Sequence, residues 1–215
     1  MKGIFITFEG PDGSGKTTQI KKLADSLTHV GYDVVVTREP GGTVISDQIR
    51  SILLSPHHTE MVDQAEVLLY AASRAQHVME VIYPSLEQNK IVLCDRYIDA
   101  SVAYQGYGLG IDPDFVKLIS EFASAKLQPK RTYMLDVPVQ VSLERIHHRA
   151  VQQSGHLLDR IELKHRDYHS KVREGFLCIA QHNTERIKVI QAVRSEVEIA
   201  HEIWEDCRTL LEQYK

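Results

Sequence analysis

An α/β fold, with a parallel sheet covered by helices on both faces, is expected from three features of the chain. Short β-branched runs alternate with longer stretches of helical periodicity from end to end. The first such run, Gly3–Phe8, opens straight into a glycine-rich turn and then an apolar-periodic stretch, a strand–turn–helix unit. A length of 215 residues, 43% hydrophobic and 25% charged, suits one globular domain with a single buried core. The elements then follow in order. Helix Lys16–Val30 carries Ile20, Leu23, Ala24, Leu27 and Val30 on one face. Strand Asp33–Thr37 precedes helices Val44–Leu54 and Asp63–Leu86. Strand Lys90–Cys94 leads to helix Pro113–Ala125, where Asp112-Pro113 supplies an N-cap and a first-turn proline. Strand Arg131–Leu135 leads to helix Val139–Arg149, with Asp136 ahead of Pro138 as a similar start signal. Helix Ile161–His182, strand Arg186–Ile190 and helix Val197–Tyr214 complete the chain. Alternation of this kind needs right-handed crossovers, and ligands of such sheets gather outside the carboxyl ends of the strands.

Charge and composition narrow the function. With 25 basic and 29 acidic residues the formal net charge is −4, which argues against a surface built to coat nucleic acid. No apolar run approaches the roughly 20 residues that span a bilayer. Met1-Lys2 leads at once into the first strand, unlike a signal peptide. Cys94, Cys178 and Cys207 are odd in number and far apart, as in a reduced, cytoplasmic protein. The polar segment Ala150–His156, flanked by arginine-rich helical patterns, fits a mobile lid and equally a plain surface loop.

The turn after the first strand, Gly10-Pro11-Asp12-Gly13-Ser14-Gly15-Lys16-Thr17, fits the phosphate-loop pattern of Gly, four residues, Gly, Lys and Ser/Thr. The glycines let backbone N–H groups wrap a polyphosphate, and the next helix aims its positive end at the same anion. Lys16 can reach the β- and γ-phosphates of a nucleotide, and the Thr17 hydroxyl can bind Mg²⁺. Two further strand ends carry arginine. Arg38 opens Arg38-Glu39-Pro40-Gly41-Gly42-Thr43, and Asp95-Arg96-Tyr97 pairs a carboxylate suited to Mg²⁺ with a planar cationic fork. Two such turns beside a phosphate loop imply a site for two phosphorylated ligands. Tyr70 and Arg74, four apart, share a helix face and together suit a nucleobase bearing a carbonyl oxygen.

These motifs, with Tyr70-Ala71-Ala72-Ser73-Arg74, Asp95-Arg96-Tyr97…Ser101…Ala103-Tyr104-Gln105-Gly106 and Leu158-Asp159-Arg160-Ile161-Glu162, occur in the order seen in thymidylate (dTMP) kinases. Over essentially its whole length the chain resembles the bacterial type of that family. The resemblance implies a three-layer P-loop NTPase fold with a five-stranded parallel sheet and a short lid near residues 150–160. It implies transfer of the ATP γ-phosphate to dTMP, supplying dTTP synthesis, with Mg²⁺ as cofactor and a homodimer as assembly. Gly10, Asp12, Gly13, Ser14, Gly15, Lys16, Thr17 and Thr18 would then bind ATP, with Thr17 and Asp95 holding Mg²⁺ directly or through water. Arg38 and Arg96 would hold the dTMP phosphate, and Glu39 and Pro40 would border it. Asp12 would approach the sugar 3′-hydroxyl, Tyr70 stack on thymine, and Arg74 face its O4. Ser101 and Gln105 would lie near the N3 edge, and Tyr104 would crowd the 2′ side. Some relatives carry an arginine directly after the loop aspartate. Here that position is Gly13, so by resemblance the transition-state arginine comes from the lid, with Arg149 and Arg160 as candidates and Arg145 as a contributor. Gln191-Ala192 stands where many relatives have Asp-Ala near the adenine.

The chemistry agrees with the residue types. A phosphate acceptor is already anionic, so the reaction needs alignment and charge compensation rather than a general base. Gln105 alone cannot choose a base, because its amide turned by 180° would match cytosine; Arg74, with donors only, opposes cytosine's exocyclic amine. The 5-methyl group is a weaker filter, at ~1–3 kcal/mol. Another nucleoside-monophosphate or deoxynucleoside kinase is the nearest alternative. A slowly hydrolysing nucleotide switch is the alternative from another class, and it leaves Arg38 and Arg96 without a role.

Overall fold

Five strands run parallel in the order β2-β3-β1-β4-β5: β1 Ile4–Glu9, β2 Val34–Arg38, β3 Ile91–Asp95, β4 Arg131–Asp136 and β5 Ile187–Gln191. The computed structural model describes residues 3–152 and 158–214. Each strand lies within a residue of its predicted range. β1 is central and fully buried, with β3 on one side and β4 on the other. The connections therefore leave β1 in opposite directions, and the carboxyl end of β1 becomes the crevice where such sheets bind ligands.

Period-two alternation divides the core. Ile4, Ile6 and Phe8 face helices α1 (Lys16–His29) and α9 (Glu196–Glu212), packing with Ile20, Leu23, Leu27, Ile199, Ile203 and Leu210. On the opposite face Phe5, Val92 and Cys94 meet Val78, Ile82 and Tyr97, while Met134 meets Ala103, Val172 and Phe176. Buried Thr7 and Thr132 of the central strands share a hydrogen bond between their Oγ1 atoms at 2.7 Å, and Thr132 Oγ1 also accepts from Arg186.

Three helical expectations change. The predicted Asp63–Leu86 helix is α3 (Asp63–His77), a π-helical stretch Val78–Ile82, and α4 (Tyr83–Glu87). Pro84 has no N–H for an α-type bond, and the wider turn lies just before it. Residues 98–108, assigned no element from sequence, form α5 (Ile98–Ser101) running into a π-helical stretch Val102–Gly108. The predicted Ile161–His182 helix starts later, as α8 (Arg166–His182), because the Asp159 carboxylate accepts from the N–H groups of Ile161 and Glu162 and closes a separate turn. Helices α2 (Val44–Leu54) and α6 (Pro113–Ala123) lie where expected, the latter capped by Asp112. Helix α7 (Val139–Gln152) runs three residues past its predicted end. Asp136 does not cap α7: both its carboxylate oxygens accept from Arg173, at 2.8 and 3.0 Å. Of the segment expected to be a lid, residues 153–157 lie outside the described residues.

Candidate active site

The turn between β1 and α1 wraps the amino end of α1. Lys16 is buried and its ammonium donates to the carbonyls of Gly10 and Pro11, at 3.1 and 2.9 Å. Gly13 has a φ of +73°, and a Cβ there would lie 2.8 Å from the Ser142 carbonyl of α7. Only glycine fits such a close approach in the left-handed region. Thr17 Oγ1 donates to Asp95 Oδ2 at 2.9 Å, so a hydroxyl and a carboxylate stand side by side at the ends of α1 and β3. Oxygen donors of this kind fit Mg²⁺, which takes few protein ligands and fills its octahedron with phosphate and water.

The end of β3 ties this loop to the rest of the crevice. Arg96 adopts a φ of +71° and donates to Asp12 Oδ1 at 2.7 Å, to the Gly10 carbonyl at 3.2 Å and to the Tyr104 hydroxyl at 2.9 Å. Tyr104 in turn donates to Asp12 Oδ2 at 2.8 Å. Burial alone would raise the Asp12 pKa, but the charges of Arg96 and Lys16 outweigh it and hold the carboxyl well below the usual range. The same group of contacts holds Arg96 well above its usual value.

The turn after β2 is fixed from below. Gly42 has a φ of +91°, and a Cβ there would lie 2.7 Å from both the His77 ring and Thr37 Oγ1. Glu39 is buried; its carboxylate accepts from Arg74 Nε at 2.7 Å and pairs with His77 Nδ1 at 3.0 Å. Arg74 also donates to Ser120 Oγ, the Tyr97 carbonyl and Ser101 Oγ. These four bonds leave one of the five guanidinium hydrogens, on Nη1, without a partner among the described residues.

Two pockets meet here. One is lined by Asp12, Gly13, Gly15, Lys16, Thr17, Thr18, Arg38, Asp95, Arg145 and Arg149. The other runs between Pro40, Tyr70, Arg74, Ser101, Tyr104 and Gln105. Asp12, Glu39, Arg50, Arg96 and Asp159 line both. A polyphosphate cradle thus opens directly onto an aromatic and amide-lined pocket, through a wall that carries two arginines.

A family model described as thymidylate kinase matches residues 8–203. A protein named thymidylate kinase from Exiguobacterium sibiricum is 49% identical over 213 residues, covering 99% of this chain and 98% of its own. Another of that name, from Syntrophotalea carbinolica, is 50% identical over 201 residues, covering 94% and 93%. The crystal structure of thymidylate kinase from Ehrlichia chaffeensis superposes with a TM-score of 0.77 at 33% identity, covering 96% of this chain and 99% of that one. The chain belongs to the thymidylate kinase family. It is accordingly a phosphotransferase on a P-loop NTPase fold, as the motifs implied.

Within this thymidylate kinase scaffold most expected residues converge, with differences at the arginines. Arg38 lines the phosphate pocket from an exposed position and pairs with Asp47 at 2.8 Å. Arg149, partly exposed, pairs with Glu162, and among the described residues its Nε has no partner. Arg160 does not lie over the phosphate pocket. It is buried, donating from Nε to the Leu53 carbonyl and from Nη2 to Glu66 Oε2 at 2.6 Å. Arg145 is also committed, to the carbonyls of Gly13 and Ala192, so it braces the back of the loop against the end of β5. Glu39 borders the pocket as expected, but its oxygens serve Arg74 and His77. Ser14 lies in the loop with its buried Oγ unpaired among the described residues.

Sequence reasoning missed three residues. Arg50 lines both pockets and donates to the Pro40 carbonyl at 2.9 Å; burial and the nearby Arg38 charge lower its pKa. Asp159 lines both pockets, and in the sequence only the motif around it marks it out. Glu66 precedes Tyr70 and Arg74 by four and eight residues on the same helix face, the spacing that marks it for this site.

Proposed function

We propose that the chain transfers the γ-phosphate of ATP to dTMP, giving dTDP and ADP, with each substrate in one of the two meeting pockets. The observation that carries this reading is the shared wall: Arg96 and Asp12 belong at once to the phosphate cradle and to the base pocket. An oxygen of the dTMP phosphate attacks the γ-phosphorus, the bond to the β-bridging oxygen breaks, and ADP leaves. Arg38, Arg50 and Arg96 hold the acceptor phosphate in line, and the loop from Gly10 to Thr18 with Lys16 holds the donor. Arg149, turned from Glu162, covers the transferring group. Thr17 and Asp95 would hold Mg²⁺, which would supply charge neutralisation for the phosphates. Tyr70 stacks on thymine, the free Nη1 hydrogen of Arg74 meets O4, and Asp12 and Tyr104 bound the sugar. Leu68 of α3 and Phe115, Leu118 and Phe122 of α6 are exposed and would be covered in a homodimer. Three free cysteines suit a reducing, cytoplasmic setting. No described helix is long and apolar enough to cross a membrane.

The test is coupled ADP release with a panel of monophosphates. dTMP is expected to be the best acceptor, and dUMP to be slower by about 10–200-fold for one missing methyl. dCMP should be slower than both. Equal use of dTMP and dCMP, or ADP release that no acceptor stimulates, would sink the reading.

A pH dependence follows from Lys16. Burial and then the Arg96 charge lower its pKa to about 8, against the opposing pull of Asp95, Asp12 and Glu9. ATP favours the ammonium, so the bound pKa lies above the free one. Binding near pH 8 should therefore take up about half a proton at this group, and affinity should fall as pH rises through that value. Calorimetry in buffers of different ionisation enthalpy reads the uptake. Glu9, pushed up to about 8 by burial and by Asp99, titrates in the same window, and the Glu9→Gln variant separates the two. Affinity that is flat from pH 7 to 9 would contradict the assignment.

A further inference from the structure

Gln105 is not free to turn. It is 1% exposed, lines the base pocket, and donates from Nε2 to Glu66 Oε1 at 2.9 Å. Its Oε1 is buried and has no partner among the described residues. Glu66, equally buried, gives its other oxygen to Arg160 Nη2 at 2.6 Å, and Arg160 is itself fixed by the Leu53 carbonyl. A carboxylate beside a guanidinium is an acceptor only. The side of the Gln105 amide that meets it must therefore be the nitrogen, since the carbonyl oxygen there would face a negative charge. The 180° rotation that would have let Gln105 read cytosine is closed by a residue that never touches the base.

We infer that Glu66, held by Arg160, is a positioning residue for base choice: it keeps the Gln105 carbonyl toward the pocket, so that the site reads a donor at N3. Thymine and uracil have N3–H and satisfy the unpaired Oε1. Cytosine presents a lone pair at N3 and leaves two acceptors opposed, which a buried site discriminates strongly. Arg74 adds a second filter at O4, but it is independent, since its own contacts are to Glu39, Ser120, Tyr97 and Ser101. The inference rests on the dTMP reading and names what enforces it.

The experiment is the Glu66→Gln variant, with kcat/KM measured for dTMP and dCMP at saturating ATP. The new amide would give its oxygen to Arg160 and its nitrogen to Gln105, which must then turn its own oxygen away from the pocket. The dTMP/dCMP ratio should fall at least tenfold while the KM for ATP stays within twofold. A merely structural role would lower both substrates by the same factor; an unchanged ratio overturns the inference. If this variant does not fold, the double variant Glu66→Gln with Arg160→Met leaves no charge unpaired and no longer dictates the amide's orientation. Its ratio must fall as well, and an unchanged ratio there overturns the inference equally. Wild-type turnover of dTMP is measured first. Its absence would defeat the functional reading, whereas an unchanged ratio in an enzyme active on dTMP defeats only the role of Glu66.

Discussion

Arg149→Ala is expected to lower kcat by roughly 10³–10⁵-fold, the range for an arginine that neutralises charge in phosphoryl transfer. The KM for dTMP should stay near its wild-type value, while Tm should fall because the buried Glu162 carboxylate loses its guanidinium partner. Arg149 is the arginine we propose for this role, and three placements support it over Arg145 and Arg160. The loop itself cannot supply the arginine, because any side chain at Gly13 would run into the Ser142 carbonyl from a left-handed backbone. Arg145 is spent on two carbonyls, and Arg160 is buried on the Leu53 carbonyl and Glu66. Arg145 and Arg149 both line the phosphate pocket, but among the described residues Arg149 Nε has no partner and the Arg149 guanidinium pairs with one carboxylate, that of Glu162. Arg160→Ala should behave differently. It strands Glu66 as an unpaired buried charge, so Tm falls and the KM for dTMP rises, with kcat less affected. Steady-state kinetics and thermal melts of the two variants decide. A silent Arg149→Ala beside a well-folded, low-kcat Arg160→Ala would reverse the assignment.

How far the site could be read from the chain follows from where contrast exists in it. The strands were legible because short β-branched runs alternate with longer helical patterns, and the phosphate loop because its spacing states its chemistry. Residues 98–108 were not, because Ile98, Ala100, Val102, Ala103, Tyr104 and Gln105 are buried on every side and leave no polar face to mark a period. Gly108 serves packing there: a Cβ on it would lie 2.7 Å from the Tyr168 ring. The base pocket was half legible. Tyr70, Arg74, Ser101 and Gln105 do line one cavity. What local spacing could not supply was which donors were already used. Arg160 meets Glu66 across 94 residues and Arg74 meets Glu39 across 35, and both pairings decide what the named residues have left for a ligand.

Arg96→Ala should produce the largest combined loss, in both stability and turnover. The guanidinium bonds Asp12, Gly10 and Tyr104 and lies 4.6 Å from the Tyr104 ring centroid, so it joins the phosphate loop to the π-helical stretch after α5. The backbone at Arg96 is left-handed, a conformation that costs a non-glycine residue and that alanine would retain without the compensating contacts. Arg96 and Asp12 are 16% and 26% exposed, so losing the pair should cost about 2 kcal/mol, less than the 3–5 kcal/mol of a fully buried pair. Loss of a preorganised donor at the acceptor phosphate should lower kcat/KM for dTMP by on the order of 10²–10³-fold or more. The sign of the pH effect is fixed by Asp12, whose folded pKa is depressed. Its contribution is fully present above the unfolded value of about 3.9 and is lost as pH falls toward the folded one. The Tm gap between wild type and Arg96→Ala should therefore be constant from pH 7 to about 5 and close below about 4. Arg96→Lys keeps the charge without the fork, so it should recover part of the Tm but little of the kcat/KM. A gap that persists unchanged at pH 3 would show that Arg96 stabilises the fold by some route other than Asp12.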